Sequence, residues 1–161
     1  MKGSVMTESW KNLNILFISL CSLILISCTA GTFKEMSFQD LKTKYSISSV
    51  GKSNKDFIDA LDIWGAKSFG DWQKVKQTAN EERGIFIFRM GDQYSVGMNT
   101  KCGILVSVEV KRESEGFLAV NFSNIRHHLS DCTWINEPGV KQLNANFART
   151  VESIQKAIAD I

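Results

Sequence analysis

The last quarter of the chain carries its most regular pattern of apolar positions. Seven apolar residues recur there at steps of three or four: Val140, Leu143, Phe147, Val151, Ile154, Ile158 and Ile161. This spacing places them on one stripe of an α-helix, and Pro138 suits the first turn because its missing N–H needs no partner there. We predict an amphipathic C-terminal helix packed on a sheet. Its polar face mixes both charge signs, which favours core packing over the alternatives of a membrane surface or a partner helix.

Before this helix, apolar and polar residues alternate with the period of β-strands. We predict strands over residues 85–90, 93–98, 106–110 and 118–122. Gly91-Asp92 stands between the first two, and such a pair supplies the positive φ angles of a tight hairpin turn. The pattern therefore predicts a four-stranded antiparallel meander with one face in water and one face covered.

Two capping boxes precede the predicted sheet. Ser37 with Asp40, and Ser53 with Asp56, have the spacing in which each side chain caps the other's backbone N–H. Apolar residues at helical spacing follow each box: Phe38, Leu41 and Tyr45 after the first, and Phe57, Leu61 and Trp64 after the second. We predict two N-terminal helices. The fold class is then α+β, as a single domain over residues 37–161.

The first 27 residues have the composition of an export signal. Lys2 and Lys11 precede a twelve-residue, mostly apolar run over residues 15–26. Such a run is shorter than the roughly 20 residues that span a bilayer, and it fits the 7–15 residues of a signal core. An uncleaved signal anchor and an ordinary cleavable signal are the alternatives, and Met6 is an alternative start.

Leu25-Ile26-Ser27-Cys28, at the end of this run, resembles the lipobox of bacterial lipoproteins. The resemblance implies that diacylglycerol is attached to the Cys28 sulfur and that cleavage falls between Ser27 and Cys28. Two or three acyl chains anchor a protein far more firmly than one. Residues 28–36 would then form a tether, of which residues 29–36 span at most about 28 Å. Thr29 is not the Asp of the family's inner-membrane retention signal, so we expect a periplasm-facing position at the outer membrane, or the cell membrane in a Gram-positive host.

The overall charge and the cysteines narrow the function classes. The net charge of +2 gives no excess of cations for nucleic-acid binding. One cysteine lies in the predicted signal and another is the predicted lipid site, which leaves Cys102 and Cys132 in the mature domain. An exported chain favours a disulfide between these two. A Cys132 nucleophile beside His127 or His128, and a metal site formed by these three residues, are alternatives. The second is weak because adjacent histidines point apart.

A second resemblance covers at most residues 38–111. The stretch from Ile47 through Gly51, Ser53 and Asp56 to Gly65 is similar to the start of small outer-membrane lipoproteins of the barrel-assembly machinery. This resemblance implies a helix-turn-helix start, then a three-stranded sheet, and a scaffold that docks on an outer-membrane assembly. The closing Pro of the family motif is absent here.

These observations together predict a non-enzymatic, lipid-anchored envelope protein that binds a protein partner close to the membrane. They identify no catalytic residue, metal site or cofactor. One alternative is an immunity or inhibitor lipoprotein that neutralises a periplasmic toxin or hydrolase. Another is an envelope enzyme in which His127 or His128 meets a carboxylate such as Asp131. The acidic row Asp56, Asp59 and Asp62 is interpreted as a solvated helix face rather than a cation site.

Overall fold

The computed structural model describes residues 35–96, 100–128 and 132–161, all within one structural unit, Lys34–Ile161. The strands in these ranges are β1 (Glu35–Met36), β2 (Lys44–Ser48), β3 (Lys76–Asn80), β4 (Ile85–Val96), β5 (Thr100–Ser114), β6 (Phe117–His127) and β7 (Ile135–Asn136). The helices are a 3-10 turn (Phe38–Asp40), α1 (Asn54–Ser68), α2 (Trp72–Val75) and α3 (Glu137–Ala159). None of these helices combines enough length with enough apolar character to span a bilayer.

Five strands form one antiparallel sheet in the order β2-β6-β5-β4-β3. Strands β3 to β6 are neighbours in sequence order, and β2 pairs with the outer edge of β6. A separate two-stranded ladder joins β1 to β7. The fold is therefore α+β, as predicted, but its sheet has five strands and the predicted count of four is wrong.

All three α-helices pack on the same face of the sheet. The Trp64 ring of α1 lies 5.4 Å from the Phe88 ring of β4, and the Trp64 Nε1 donates to Ser153 Oγ of α3 over 2.8 Å. On the other side of the core, Phe147 of α3 stacks on Phe122 of β6 with ring centroids 4.2 Å apart. The main hydrophobic core thus lies between one sheet face and the helices.

Helix α3 confirms the amphipathic helix predicted at the end of the chain. It starts after Asn136, whose side-chain oxygen accepts a hydrogen bond from the Gly139 N–H over 2.8 Å. The first six residues of the predicted stripe are buried against the sheet and α1. Ile161 is 47% exposed because the helix ends at Ala159.

Only the second of the two predicted N-terminal helices forms. The capping box of Ser53 and Asp56 begins α1 as expected. The box of Ser37 and Asp40 also forms, but it caps a single 3-10 turn, and the chain then enters β2. The prediction of a helix there is wrong because Tyr45 and Ile47 alternate with polar residues and pair with β6, burying their side chains as a strand.

The predicted hairpin turn at Gly91-Asp92 is also wrong. Strand β4 runs through both residues, with Gly91 opposite Leu105 and Asp92 opposite Ile104 on β5. Even-numbered residues face the helices along the whole strand, and Asp92 accepts a hydrogen bond from Asn146 of α3 over 2.7 Å. Strand β4 ends at Val96 and β5 begins at Thr100, and residues 97–99 lie outside the described ranges. Strand β3 has the sequence KQTAN, and its lack of apolar alternation explains why it was not predicted.

Candidate functional site

The face of the sheet opposite the helices is called here the open face. In the described part of the chain no helix packs on it, since α1, α2 and α3 all contact the other side. Residues paired across neighbouring strands point to the same face of the sheet, so the strand register shows on which face each side chain lies. Ile87, Glu109 and Asn121 form one such open-face row across β4, β5 and β6, and Lys44 of β2 continues it.

The centre of the open face is partly apolar. Ile87 and Leu105 are half-buried there, as is Ile85 at the start of β4, and Ser107 is only 6% exposed. A sheet face that met only water would carry polar side chains at such central positions. The apolar centre is therefore a feature that a binding surface explains more simply than solvation does.

Positive charge is concentrated on the open face. Five exposed basic residues lie on it by register: Lys44, Arg89, Lys101, Lys111 and Arg126. Among the paired residues of the open face, Glu109 is acidic. Glu113 lies at the register shift near the end of β5. The whole chain carries only +2, so this face is distinctly more basic than the molecule as a whole.

A β-bulge in β6 forms a pocket on the open face. The register of β5 and β6 shifts between Leu105 and Ser107, and Asn124 adopts a positive φ of 51° at this point. The pocket has a volume of about 330 Å³, with Arg89 and Arg126 in its wall beside Ser107. Bulges re-aim side chains in this way and are frequent at binding sites.

The two arginines of the pocket have unused hydrogen-bonding capacity. Neither Arg89 nor Arg126 makes a hydrogen bond or ion pair through its guanidinium with any of the described residues. Arg112, on the helix face, differs: it donates to Ser49 Oγ at 2.7 Å, to Lys52 O at 2.9 Å and to Asn54 Oδ1 at 3.1 Å. Arg112 therefore stabilises the fold through these hydrogen bonds, whereas the guanidinium groups of the pocket arginines can bind an anionic group.

The two pocket arginines form no recognisable motif in the sequence. Arg89 interrupts the apolar run IFIFRM, and Arg126 lies just before the two histidines. Arg89 is a cation inside an otherwise apolar strand, which is the only local indication of a binding residue. Placing both arginines on one face requires the strand register and the bulge.

The predicted disulfide is confirmed. Cys102 and Cys132 are bonded, with Cα atoms 5.7 Å apart and both residues buried. The hypothesis of a Cys132 nucleophile is therefore wrong, since its sulfur is held in the bond. Ser27 and Cys28, the predicted sites of cleavage and lipid attachment, lie outside the described residues.

His127 belongs to a partly buried chain of hydrogen bonds. Tyr94 donates its hydroxyl proton to the Trp134 carbonyl over 2.7 Å, so the His127 Nε2–H donates to the Tyr94 oxygen over 2.6 Å. Burial lowers the pKa of His127 and raises the pKa of Tyr94. The other ring packed on His127 is Phe38, at 4.9 Å. No carboxylate in the described ranges bonds His127, and Asp131 lies outside them.

The three carboxylates of the acidic row on α1 each interact with a different partner. Asp56 accepts the Ser53 N–H of the cap, which lowers the pKa of this carboxyl group. Asp59 pairs with Lys55, and Asp62 accepts from Lys76 Nζ at 2.6 Å. Across the described residues, no group of three His, Cys, Asp or Glu side chains could hold a metal ion.

Comparisons with known proteins establish a likeness of fold alone. No protein-family model matches the chain, and no curated protein is significantly similar to it. A DUF4468 family protein from Bacteroides ovatus matches with a TM-score of 0.55 and 10% identity, over 80% of this chain and 91% of the other. A TBP-like protein from Parabacteroides distasonis matches with a TM-score of 0.49 and 13% identity, over 70% and 90% of the two chains.

Proposed function

We propose that this chain is a non-enzymatic, lipid-anchored bacterial envelope protein that binds a protein partner through the open face of its sheet. The observation that carries the proposal is the contrast between the two sheet faces. One is covered by three helices, whereas the other has a partly apolar centre and five exposed basic side chains. The buried disulfide supports an oxidising compartment outside the cytoplasm.

The size of the open face suits a protein partner. Strands β4, β5 and β6 contain 12, 15 and 11 residues. At about 3.3 Å per residue and about 4.8 Å between strands, these three strands offer roughly 600 Å² of face. The edge strands β2 and β3 extend it toward the ~800 Å² per partner of a standard protein interface. A surface of this size is better matched to a protein than to a small molecule.

The lipid anchor would hold this surface near the membrane. Cys28 in the lipobox and Glu35 at the start of β1 are separated by six residues, which span at most about 25 Å. A domain on so short a tether meets partners that are themselves at the membrane. The proposed location is therefore the periplasm-facing side of the outer membrane, or the cell membrane of a Gram-positive host.

Site-specific photo-crosslinking in intact cells of the native host tests the partner surface. A photoreactive residue replaces exposed Gln93 or Ser123 on the open face, and in matched controls it replaces exposed Lys141 or Glu152 on α3. We expect one discrete protein adduct from the open-face positions and none from α3. Adducts from α3 alone, or none from any position at normal abundance, would refute the proposed surface.

Mass spectrometry of the mature protein tests the anchor independently. We expect the mature chain to begin at an acylated Cys28, and a Cys28→Ala variant to lose both acylation and cleavage. A native protein that begins at Met1 or Met6 and leaves the membrane without detergent would contradict the proposed anchor while leaving the partner surface testable.

A further inference from the structure

We propose that the pocket between Arg89 and Arg126 binds the carboxylates of an acidic, extended segment of the partner protein. This inference rests on the proposed function, because it assigns the chemistry of the partner that the open face recognises. It names the two residues that recognise the partner and specifies that the recognised segment of the partner is negatively charged.

The strand register brings the two arginines to opposite sides of one strand. Arg89 on β4 pairs with Ser107 of β5, and Arg126 on β6 pairs with Leu105 of the same strand. With strands about 4.8 Å apart, β4 and β6 are separated by roughly 10 Å, a gap that two long side chains can close from both sides. Both arginines line the same pocket over β5.

The chemistry of the pocket favours a carboxylate ligand. A guanidinium presents planar pairs of N–H donors that match the two oxygens of a carboxylate. Two such groups face one pocket here, and none of the described residues supplies an acidic partner to either. Ser107, 6% exposed beneath them, adds a hydroxyl group to the pocket.

The surroundings favour a peptide segment over a small free anion. Leu105 lies in the pocket wall and Ile87 is half-buried on the same face, so apolar side chains of a segment would find contacts beside the arginines. Lys101 and Lys111 are exposed near the two ends of β5, about 33 Å apart at strand spacing. An extended acidic segment could contact the arginines and at least one of these lysines, with Glu109 lying between the pocket and Lys111, whereas a single anion uses only the pocket.

The test measures binding of a fluorescent oligoglutamate peptide to the full-length protein in detergent by anisotropy. We expect Arg89→Gln with Arg126→Gln to weaken binding by about tenfold or more, since each change removes charge-assisted hydrogen bonds. The charge-matched control, Lys141→Gln with Lys156→Gln on α3, should change binding by less than about twofold because exposed distant charges are screened. Unchanged circular dichroism and urea midpoint would show that each variant is folded.

A lysine variant separates guanidinium recognition from charge alone. Arg89→Lys with Arg126→Lys keeps both charges but removes the planar donor pairs, so we expect a loss between those of the wild type and the glutamine variant. Equal weakening by the α3 control would overturn the proposal, as would a wild-type protein that does not bind the peptide.

Two further probes distinguish an acidic peptide from other anionic ligands. Inorganic phosphate that displaces the peptide completely at about the millimolar level would overturn the peptide assignment in favour of a small oxyanion site. Binding to phosphatidylglycerol vesicles that needs both arginines, without peptide binding, would overturn it in favour of a lipid headgroup. Open-face adducts in cells, combined with peptide binding that ignores both arginines, would refute this inference and leave the proposed function intact.

Discussion

Removal of the Cys102–Cys132 bond is expected to lower the free energy of unfolding by about 3 to 4 kcal/mol. The two cysteines are 30 positions apart, and the chain-entropy relation for a ring of this size gives about 3.7 kcal/mol at 25 °C. The bond also acts locally, because it fixes the segment that leads into α3. The Trp134 carbonyl, two residues after Cys132, accepts the Tyr94 hydroxyl. The expected loss is therefore larger than that of one hydrogen bond, which is about 1 kcal/mol.

Urea unfolding of the oxidised protein and of Cys102→Ala with Cys132→Ala, followed by circular dichroism, measures this loss. With a slope of about 2 kcal/mol per molar, the midpoint should fall by about 2 M. Reduction of the wild type should reproduce the fall, and the same reductant should leave the double variant unchanged. Tyr94→Phe, which keeps the ring and removes both hydrogen bonds of the hydroxyl, should lose about 2 kcal/mol. A loss below about 1 kcal/mol in the alanine variant would refute the reasoning from ring closure.

Three further changes probe the packing of the helix face by the same unfolding assay. Gly65→Ala should destabilise by about 1 to 3 kcal/mol because a Cβ there would lie 2.3 Å from Trp72 ring atoms, and a Trp72→Phe background should reduce that cost; equal costs in both backgrounds would exclude the clash. Asn136→Ala should cost about 1 to 2 kcal/mol through loss of the cap on the Gly139 N–H, and a loss under a few tenths would exclude this role. Burial raises the pKa of Asp92, so its contribution to stability falls as pH rises from about 4 through that raised pKa. Asp92→Asn should therefore gain relative to wild type from pH 4 to pH 7, and a difference independent of pH would contradict this.

Local signals predicted the parts of the fold that local chemistry determines. The capping box at Ser53 is a local hydrogen-bond pattern, and the stripe from Val140 to Ile158 repeats with the helical period whatever surface later covers it. Helices α1 and α3 begin where these signals place them. The box at Ser37 obeys the same chemistry, yet it caps only one turn. Pairing of β2 with β6 is a tertiary interaction that overrides helix formation at Tyr45.

The error at Gly91-Asp92 had a different physical origin. A Gly-Asp pair permits a tight turn but does not require one, because both residues can also adopt extended conformations. Alternation of the helix-facing residues continues unbroken from Phe86 to Tyr94, and this long-range period decided the outcome. The edge strand β3 illustrates the opposite case, since its mostly polar sequence carries no pattern from which a strand could be inferred.

The bulge at Asn124 explains why the candidate site could not be derived from alternation. Ser123 lies on the open face opposite Ser107, and counting by twos from it would assign His127 to the open face and Arg126 to the core. The extra residue reverses both assignments: Arg126 pairs with Leu105 on the open face, and His127 turns toward Tyr94. One backbone irregularity therefore removes a histidine from the solvent-facing surface of the sheet and supplies the second arginine of the pocket. The same irregularity therefore places His127 beside Tyr94 and brings Arg126 to the pocket in which we propose that carboxylates bind.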